Sequence, residues 1–332
     1  MKKKAHPLPH LRRAVQAGFA GFCLFAGWRF YLFYQWAIGV RAAYVPRPAA
    51  VEGFLPISAL VALKHLLLTG RYDPIHPAGL TIFIAALLMG LWLRKGFCGW
   101  ICPVGFTSNL AETLGRRAKL ALVPPRWLDL PLLAIKYLLL AFFAYLILWQ
   151  MDRQAIEGFM VSPYNRIVDV KMLYFFLHPS RLAGGIMLGL LVLSLALKNP
   201  WCRYLCPYGA LLGLLGLLSP LRVRRDQEAC ISCHRCERAC PAAIPITAKT
   251  VVRNPECVGC LDCVAACPVD SCLEAACGPR RVSPYLLPAL TLALLFALWL
   301  TAKATGHWQT QTPLPELRRD YSLGLDLPHP RY

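Results

Sequence analysis

The chain has 332 residues, 57% hydrophobic and only 16% charged, which excludes an ordinary soluble enzyme and leaves room for about two domains. Its formal net charge of +19 invites a nucleic-acid reading, but the distribution excludes one. Between residues 222 and 280 eight Lys/Arg face seven Asp/Glu, while the surplus flanks apolar segments at Lys2, Lys3, Lys4, Arg12 and Arg13 and at Arg94, Lys95, Arg116, Arg117, Lys119 and Arg126. That is the footprint of a membrane protein with positive loops inside, not of a duplex-binding surface.

Residues 15–38 form the first apolar segment, behind a basic N-terminus. Its length, aromatic content and Arg29 set it apart from a cleaved signal sequence, so it reads as an anchor with the N-terminus inside. Segment 54–69 carries Lys64 and His65 and is expected to lie in the interface or dip back. Segments 77–93, 130–149, 182–197 and 284–302 approach the length that crosses the hydrocarbon. Loop 94–126 holds six basic residues and one acid, against four and three in segment 151–181. This bias predicts five spans, a cytoplasmic segment 222–280 and an external tail.

Beside the spans lie Phe97-Cys98-Gly99-Trp100-Ile101-Cys102-Pro103-Val104-Gly105 and Trp201-Cys202-Arg203-Tyr204-Leu205-Cys206-Pro207-Tyr208-Gly209, matching at an offset of 104 residues. They mark two related membrane hairpins. On a helix, Cys98 and Cys102, like Cys202 and Cys206, would share one face. Four thiols converging there would suit an iron, a further cluster or a redox-active dithiol pair; buried small hydrophobes at a tight turn are the plainer reading.

From Cys230 to Pro268 the spacing C-x2-C-x2-C-x3-C-P occurs twice. Three cysteines at this spacing wrap one cluster and the fourth reaches its neighbour. The rule assigns one [4Fe–4S] cluster to Cys230, Cys233, Cys236 and Cys267, and a second to Cys257, Cys260, Cys263 and Cys240. Structural zinc does not call for paired three-plus-one runs, and disulfides do not suit a cytoplasmic segment. Cys272 and Cys277 fit neither set and read as bystanders, Cys23 as a core residue, and His234 as a neighbour rather than a ligand.

The fold class expected is mainly α: a polytopic membrane helical bundle of about five spans in two related hairpins, with an inserted α+β two-[4Fe–4S] ferredoxin domain. The divisions are a membrane domain 1–221, a ferredoxin domain 222–280, a final span 281–302 and a Pro-rich irregular tail 303–332. No G-x-G-x-x-G opens a βαβ unit, so no NAD or flavin domain is expected.

The paired motifs at Cys98/Cys102 and Cys202/Cys206, the double run at 230–268 and the opening Arg12-Arg13-x-x-Gln16 resemble the NapH/NosR-type membrane polyferredoxins, a family that includes CcoG/RdxA-like proteins. The likeness covers about residues 11–300, is strongest to the short NapH-like branch, and lacks the large flavin-binding region of the NosR type. It implies a multi-pass protein of the bacterial inner membrane. Such a protein passes electrons between the quinone pool and other redox subunits, often serving periplasmic reductases, as a component of quinol dehydrogenation. Two rival functions are a maturation reductase working on a metal or disulfide at the four membrane-side cysteines, and a redox sensor. Quinol oxidation needs a proton acceptor. The candidates are Glu52, Lys64, His65, Asp73, His76, Asp152, Glu157 and Asp169, with His65, His76 and His178 expected on one side and Arg166 expected to pair with Asp169.

Overall fold

The computed structural model describes residues 6–120, 122 and 124–323. Lys2, Lys3, Lys4 and the tail from 324 lie outside them. The chain is mostly helical. It opens with α1 (Leu8–Ala37), a 3-10 turn (Ala49–Phe54), α2 (Pro56–Thr69) and α3 (Pro77–Trp92). A π-helical turn (Phe97–Ile101) leads into α4 (Pro103–Arg117), and α5 (Arg126–Ala144) continues into π-helix Tyr145–Gln150. Four helices follow: α6 (Arg153–Val161), α7 (Pro163–Arg166), α8 (Val168–Leu177) and α9 (Arg181–Ala196). A second π turn (Trp201–Leu205) precedes α10 (Pro207–Gly216), β1 (Leu221–Arg225), α11 (Arg235–Ala239), α12 (Asp262–Ala266), β2 (Leu273–Cys277) and β3 (Arg280–Arg281). The described residues close with α13 (Leu286–Ala304) and α14 (Leu314–Leu323).

Local chemistry explains several boundaries. Pro56, Pro103 and Pro207 occupy the first turns of α2, α4 and α10, where a missing N–H costs nothing. Gly70 closes α2 in the left-handed region at φ 70°, its N–H donating to the Leu66 carbonyl.

The expectation of five full-length spans is only partly met. Among the described residues, two helices are long and apolar enough to cross a membrane: Trp127–Gln150 and Leu286–Ala304. Helices α8 and α9 together would make a third, bent by 74° at their break. Helix α3 has 16 residues, about 24 Å at 1.5 Å per residue, short of a hydrocarbon core of about 30 Å. Arg12, Arg13 and Arg29 interrupt the 30 residues of α1.

By contacts the chain divides into two compact units. The first comprises residues 1–20, 86–140 and 187–294. It contains an antiparallel sheet in the order β1-β2-β3, with Leu221 opposite Cys277 and Ala276 opposite Arg281. The second comprises residues 21–85, 141–186 and 295–332. One apolar cluster there gathers Phe30, Phe33, Val51, Ile167, Val170, Leu317 and Tyr321; another gathers Val61, Leu80, Ile147, Ile156 and Met160.

The irregular tail expected over 303–332 is corrected within its described part, up to residue 323. Residues 314–323 form α14, because Leu317 and Tyr321, one turn apart, are buried in the first of those clusters. Tyr321 Oη donates to Asp169 Oδ2 at 2.8 Å, and Arg166 Nε donates to Asp320 Oδ2 at 2.5 Å. The expected Arg166–Asp169 pair is therefore absent: Asp169 takes Arg47 instead, at 2.6 Å. Leu317→Ala should lower stability by about 2–4 kcal/mol. A fall in melting temperature with faster proteolysis of the tail checks this; a tail that is cut as fast in the unsubstituted protein would contradict the docked helix.

Candidate iron–sulfur and thiol site

In the first unit the ligand run folds the same way twice, 27 residues apart. Ser232 (φ 52°) and His234 (φ 54°) repeat as Gly259 (φ 63°) and Leu261 (φ 61°), and α11 repeats as α12. Left-handed residues at these points curl each loop tightly, at a cost of about 1–2 kcal/mol for each non-glycine. Such strain persists only where something holds it.

The curled loops bring the cysteines together in two groups. An open recess is lined by Cys230, Cys233, Cys236 and Cys267. Cys263 stands within electrostatic reach of Cys257, Cys260 and Cys240, and Cys240 within reach of Cys257. In the first group Cys230 and Cys233 are half-buried and Cys236 and Cys267 buried; in the second only Cys257 is half-buried, and Cys240, Cys260 and Cys263 are buried. Burial pushes the Cys236 thiol up to about 11 and raises Cys240, Cys260 and Cys263. The Ser232 backbone N–H leads in holding Cys230 below its usual value, with Arg225 adding to it. Cys272, read from the sequence as a bystander, lines the same recess and meets both Cys230 and Cys267. Pairing of β2 with β1 puts it there, against the Asp226 carbonyl. Nothing in the spacing announces it.

None of the fifteen cysteines, all among the described residues, is joined in a disulfide. Among the described residues no three of His, Cys, Asp and Glu stand close enough to hold a single metal ion. Thiolates of a [4Fe–4S] cluster each bind a different iron, so wider spacing suits them. Four thiols around an open recess fit such a group.

The paired membrane-side motifs also fold alike. Each cysteine pair lies on a π turn rather than an α-helical face, closed by Cys102 N–H to the Phe97 carbonyl and Cys206 N–H to the Trp201 carbonyl, both 2.9 Å. Cys102 and Cys206 cap α4 and α10, and Cys206 Sγ accepts from the Gly209 N–H at 3.2 Å. Cys98, Cys102, Cys202 and Cys206 all stand within electrostatic reach of one another's group, beside Tyr208 and Lys95. Burial pushes Cys98 up to about 12 against the pull of Lys95, and raises Cys202.

These motifs carry the docking surface for the ligand loops. Gly99 has no room for a side chain: a Cβ would lie 2.3 Å from the Val258 carbonyl oxygen. Its own carbonyl accepts from Arg12 Nε at 2.9 Å and Gln16 Nε2 at 3.0 Å, while Arg12 also pairs with Asp262. Trp100 Nε1 donates to the Gly259 carbonyl at 3.1 Å. Arg94 donates to the Val252 and Gly216 carbonyls and Lys95 to Pro255. At the equivalent place in the second motif Lys198 Nζ donates to the carbonyls of Arg238 and Cys240 at 3.1 and 3.2 Å. Arg94 and Lys95 are thus buried donors and do not count as free positive charge in loop 94–126. Lys136, fully buried, pairs with Glu256, a third cation that the apolar context of α5 conceals in the sequence.

In the second unit the quinol candidates separate. Lys64 caps the end of the π-helix through the carbonyls of Ile147, Leu148 and Met151; Asp152 caps α6, and Glu157 pairs with exposed Arg153. His178 packs on Tyr174, and the His65 carbonyl accepts from Thr69 Oγ1. Glu52, Asp73, His76 and Asp169 do come together, around Arg47.

A 4Fe-4S dicluster domain family matches residues 222–268, and a 4Fe-4S binding domain family matches residues 75–120 and 182–225, the two hairpin motifs. YccM of Escherichia coli (strain K12), a protein named for electron transport, is 42% identical over 300 residues, covering 88% of this chain and 83% of its own. The methylamine utilization ferredoxin-type protein MauN of Methylorubrum extorquens is 31% identical over 59% of this chain and 64% of its own. The regulatory protein NosR of Stutzerimonas stutzeri is 31% identical over 48% of this chain, which spans only 22% of that relative. No solved structure matches.

Gly99→Ala should lower the iron content and cost about 1–3 kcal/mol, since the added methyl meets backbone that must shift. Gly18→Ala, which meets nothing within 4 Å, should leave both unchanged. Iron assay and thermal melting of the two variants check the difference.

Proposed function

Because the chain belongs to the NapH/NosR-type family of membrane-associated ferredoxin-type electron transport proteins, we propose that it carries electrons between a hydroquinone and a redox partner. The cysteine grouping of the first unit carries this reading. Cys230, Cys233, Cys236 and Cys267 would hold one [4Fe–4S] cluster, and Cys257, Cys260, Cys263 and Cys240 the other. Bound there, such clusters supply one-electron redox chemistry.

The chain's own residues then set the route. Three of the Cys257 group are buried and its loop rests on Gly99, Trp100 and Lys95, so it faces the membrane-side motifs. The Cys230 group is more open, with Ile231 and His234 exposed beside it, and is the exit towards a partner. Arg225 and the Ser232 N–H stabilise negative charge on Cys230, and hydrogen bonds of this kind raise a cluster's potential. The ferredoxin domain 222–280 lies on the cytoplasmic side of an inner membrane crossed by about five segments. Exposed Arg116, Arg117 and Lys119 support that orientation after Arg94 and Lys95 are discounted.

A second reading has one observation in its favour: four membrane-side thiols converge beside Lys95. They would form a further cluster or a dithiol site through which electrons reach a metal or disulfide of another protein.

Cys233→Ala and Cys260→Ala should each remove one cluster, halving the iron of the purified protein. Full iron in both variants would sink the assignment. The double variant Cys102→Ser, Cys206→Ser separates the two readings: unaltered hydroquinone-dependent reduction of the clusters takes the tetrad off the path, whereas its loss puts the tetrad on it.

A further inference from the structure

The second unit holds a charge cluster that ordinary packing does not explain. Glu52 is fully buried, and Asp73, His76 and Asp169 are 1%, 3% and 3% exposed. Among the described residues Arg47 is the guanidinium that pairs with them, 2.6 Å from Glu52 Oε1 and 2.6 Å from Asp169 Oδ2. Tyr321 also donates to Asp169, and the Gly79 N–H to Glu52 Oε2 at 3.0 Å. Three buried carboxylates against one permanent cation leave the cluster short of positive charge, a state that protons relieve.

Two atoms are placed to take them. The His76 Nε2 lies 2.6 Å from the Asn165 carbonyl oxygen, which can only accept, so Nε2 carries the hydrogen. The lone pair of neutral His76 is then on Nδ1, buried, 3.6 Å from Glu52 Oε1 and without a hydrogen-bond partner among the described residues. In Asp73, Oδ1 accepts from the N–H groups of Ile75 and His76 at 2.8 and 3.1 Å, and Oδ2 is buried and unpartnered among the described residues. A buried unpaired acceptor costs about 1–3 kcal/mol, so neither atom is a neutral packing choice. Beside them the Tyr72 ring lies 4.6 Å from the imidazole of His307, an aromatic pair next to the Asp73 carboxyl.

We propose that Asp73 Oδ2 and His76 Nδ1 are the two proton acceptors for a hydroquinone oxidised at this site, with Glu52 and Arg47 as positioning residues. The proposal rests on the hydroquinone reading above and gives it a place in the chain. Oxidation of one hydroquinone breaks two O–H bonds. One proton goes to His76 Nδ1 and one to Asp73 Oδ2, each in its unprotonated form. The two electrons leave singly to two one-electron iron–sulfur acceptors, which are reduced as the ring becomes the quinone. Burial pushes Asp73 up from the ordinary carboxylate range. For His76 burial works the other way, but Glu52 and Asp169 outweigh it and hold the imidazole above its usual value. Both shifts move the acceptors towards neutral pH, where transfer to a general base is most effective. Since a base must be unprotonated to act, the rate should fall as pH drops through these raised values.

The test is stopped-flow reduction of the anaerobic protein by a reduced menaquinone analogue across pH, for the unsubstituted chain, Asp73→Asn and His76→Gln. Each variant should reduce at least about 10²-fold more slowly and lose the part of the low-pH fall that its own group contributes, while the part due to the other acceptor remains. Iron content and reduction by dithionite should remain those of the parent. Parent-like rates and pH profiles in both variants would leave the cluster a structural salt network and overturn the proposal. A parent that hydroquinone never reduces would overturn the hydroquinone reading itself, and this site with it. Infrared difference spectra of the parent, reduced by hydroquinone minus oxidised, give a second readout. A protonated carboxyl band should appear and be missing in Asp73→Asn, and its absence from the parent overturns the role of Asp73 whether or not the variants fold.

Discussion

The carbonyl of Gly99 is the point on which the first unit depends. It sits inside one membrane-side motif and accepts from Arg12 and Gln16 on α1, one helical turn apart. Across from it, Val258 of the second ligand loop approaches so closely that only glycine fits. A backbone carbonyl satisfied by a guanidinium and an amide, in a space from which a methyl is excluded, ties three distant stretches together. Arg94, Lys95 and Lys198 extend the same device to the carbonyls of Val252, Pro255, Arg238 and Cys240. Charge-assisted bonds of this kind are about twice as strong as neutral ones. They also give the strained left-handed residues of the ligand loops something to lean on.

This changes the meaning of the basic surplus. Read along the sequence, Arg94 and Lys95 belong to a positive loop beside a span. In the structure they are buried and spent on ligand-loop carbonyls, so charge counting alone overstates the bias that orients the chain. The same holds for Lys136, whose apolar helical context hides a buried ion pair with Glu256.

Periodic and spaced features were legible in the sequence; long-range partners were not. The offset of 104 residues between the paired motifs and the doubled cysteine run announce repeats, and the backbone repeats accordingly. The conformation within the motif was missed, because a C-x3-C spacing reads as one α-helical face while the hydrogen bonds close π turns. Helix length is less legible, since an apolar stretch such as 77–93 does not reveal that its helix stops at 16 residues. The tail was underread: Pro and charge obscure the Leu317–Tyr321 pair that docks α14. Arg166 and Asp169 were matched by proximity in sequence, and lost to Asp320 and Arg47, partners 154 and 122 residues away.

The most direct measurement is the electron paramagnetic resonance spectrum of the purified anaerobic protein before and after a reduced menaquinone analogue is added. The account predicts reduced [4Fe–4S] signals on that addition, as large as those dithionite produces. Signals with dithionite and none with the hydroquinone would contradict it, and would point to a low-potential donor on the cytoplasmic side instead.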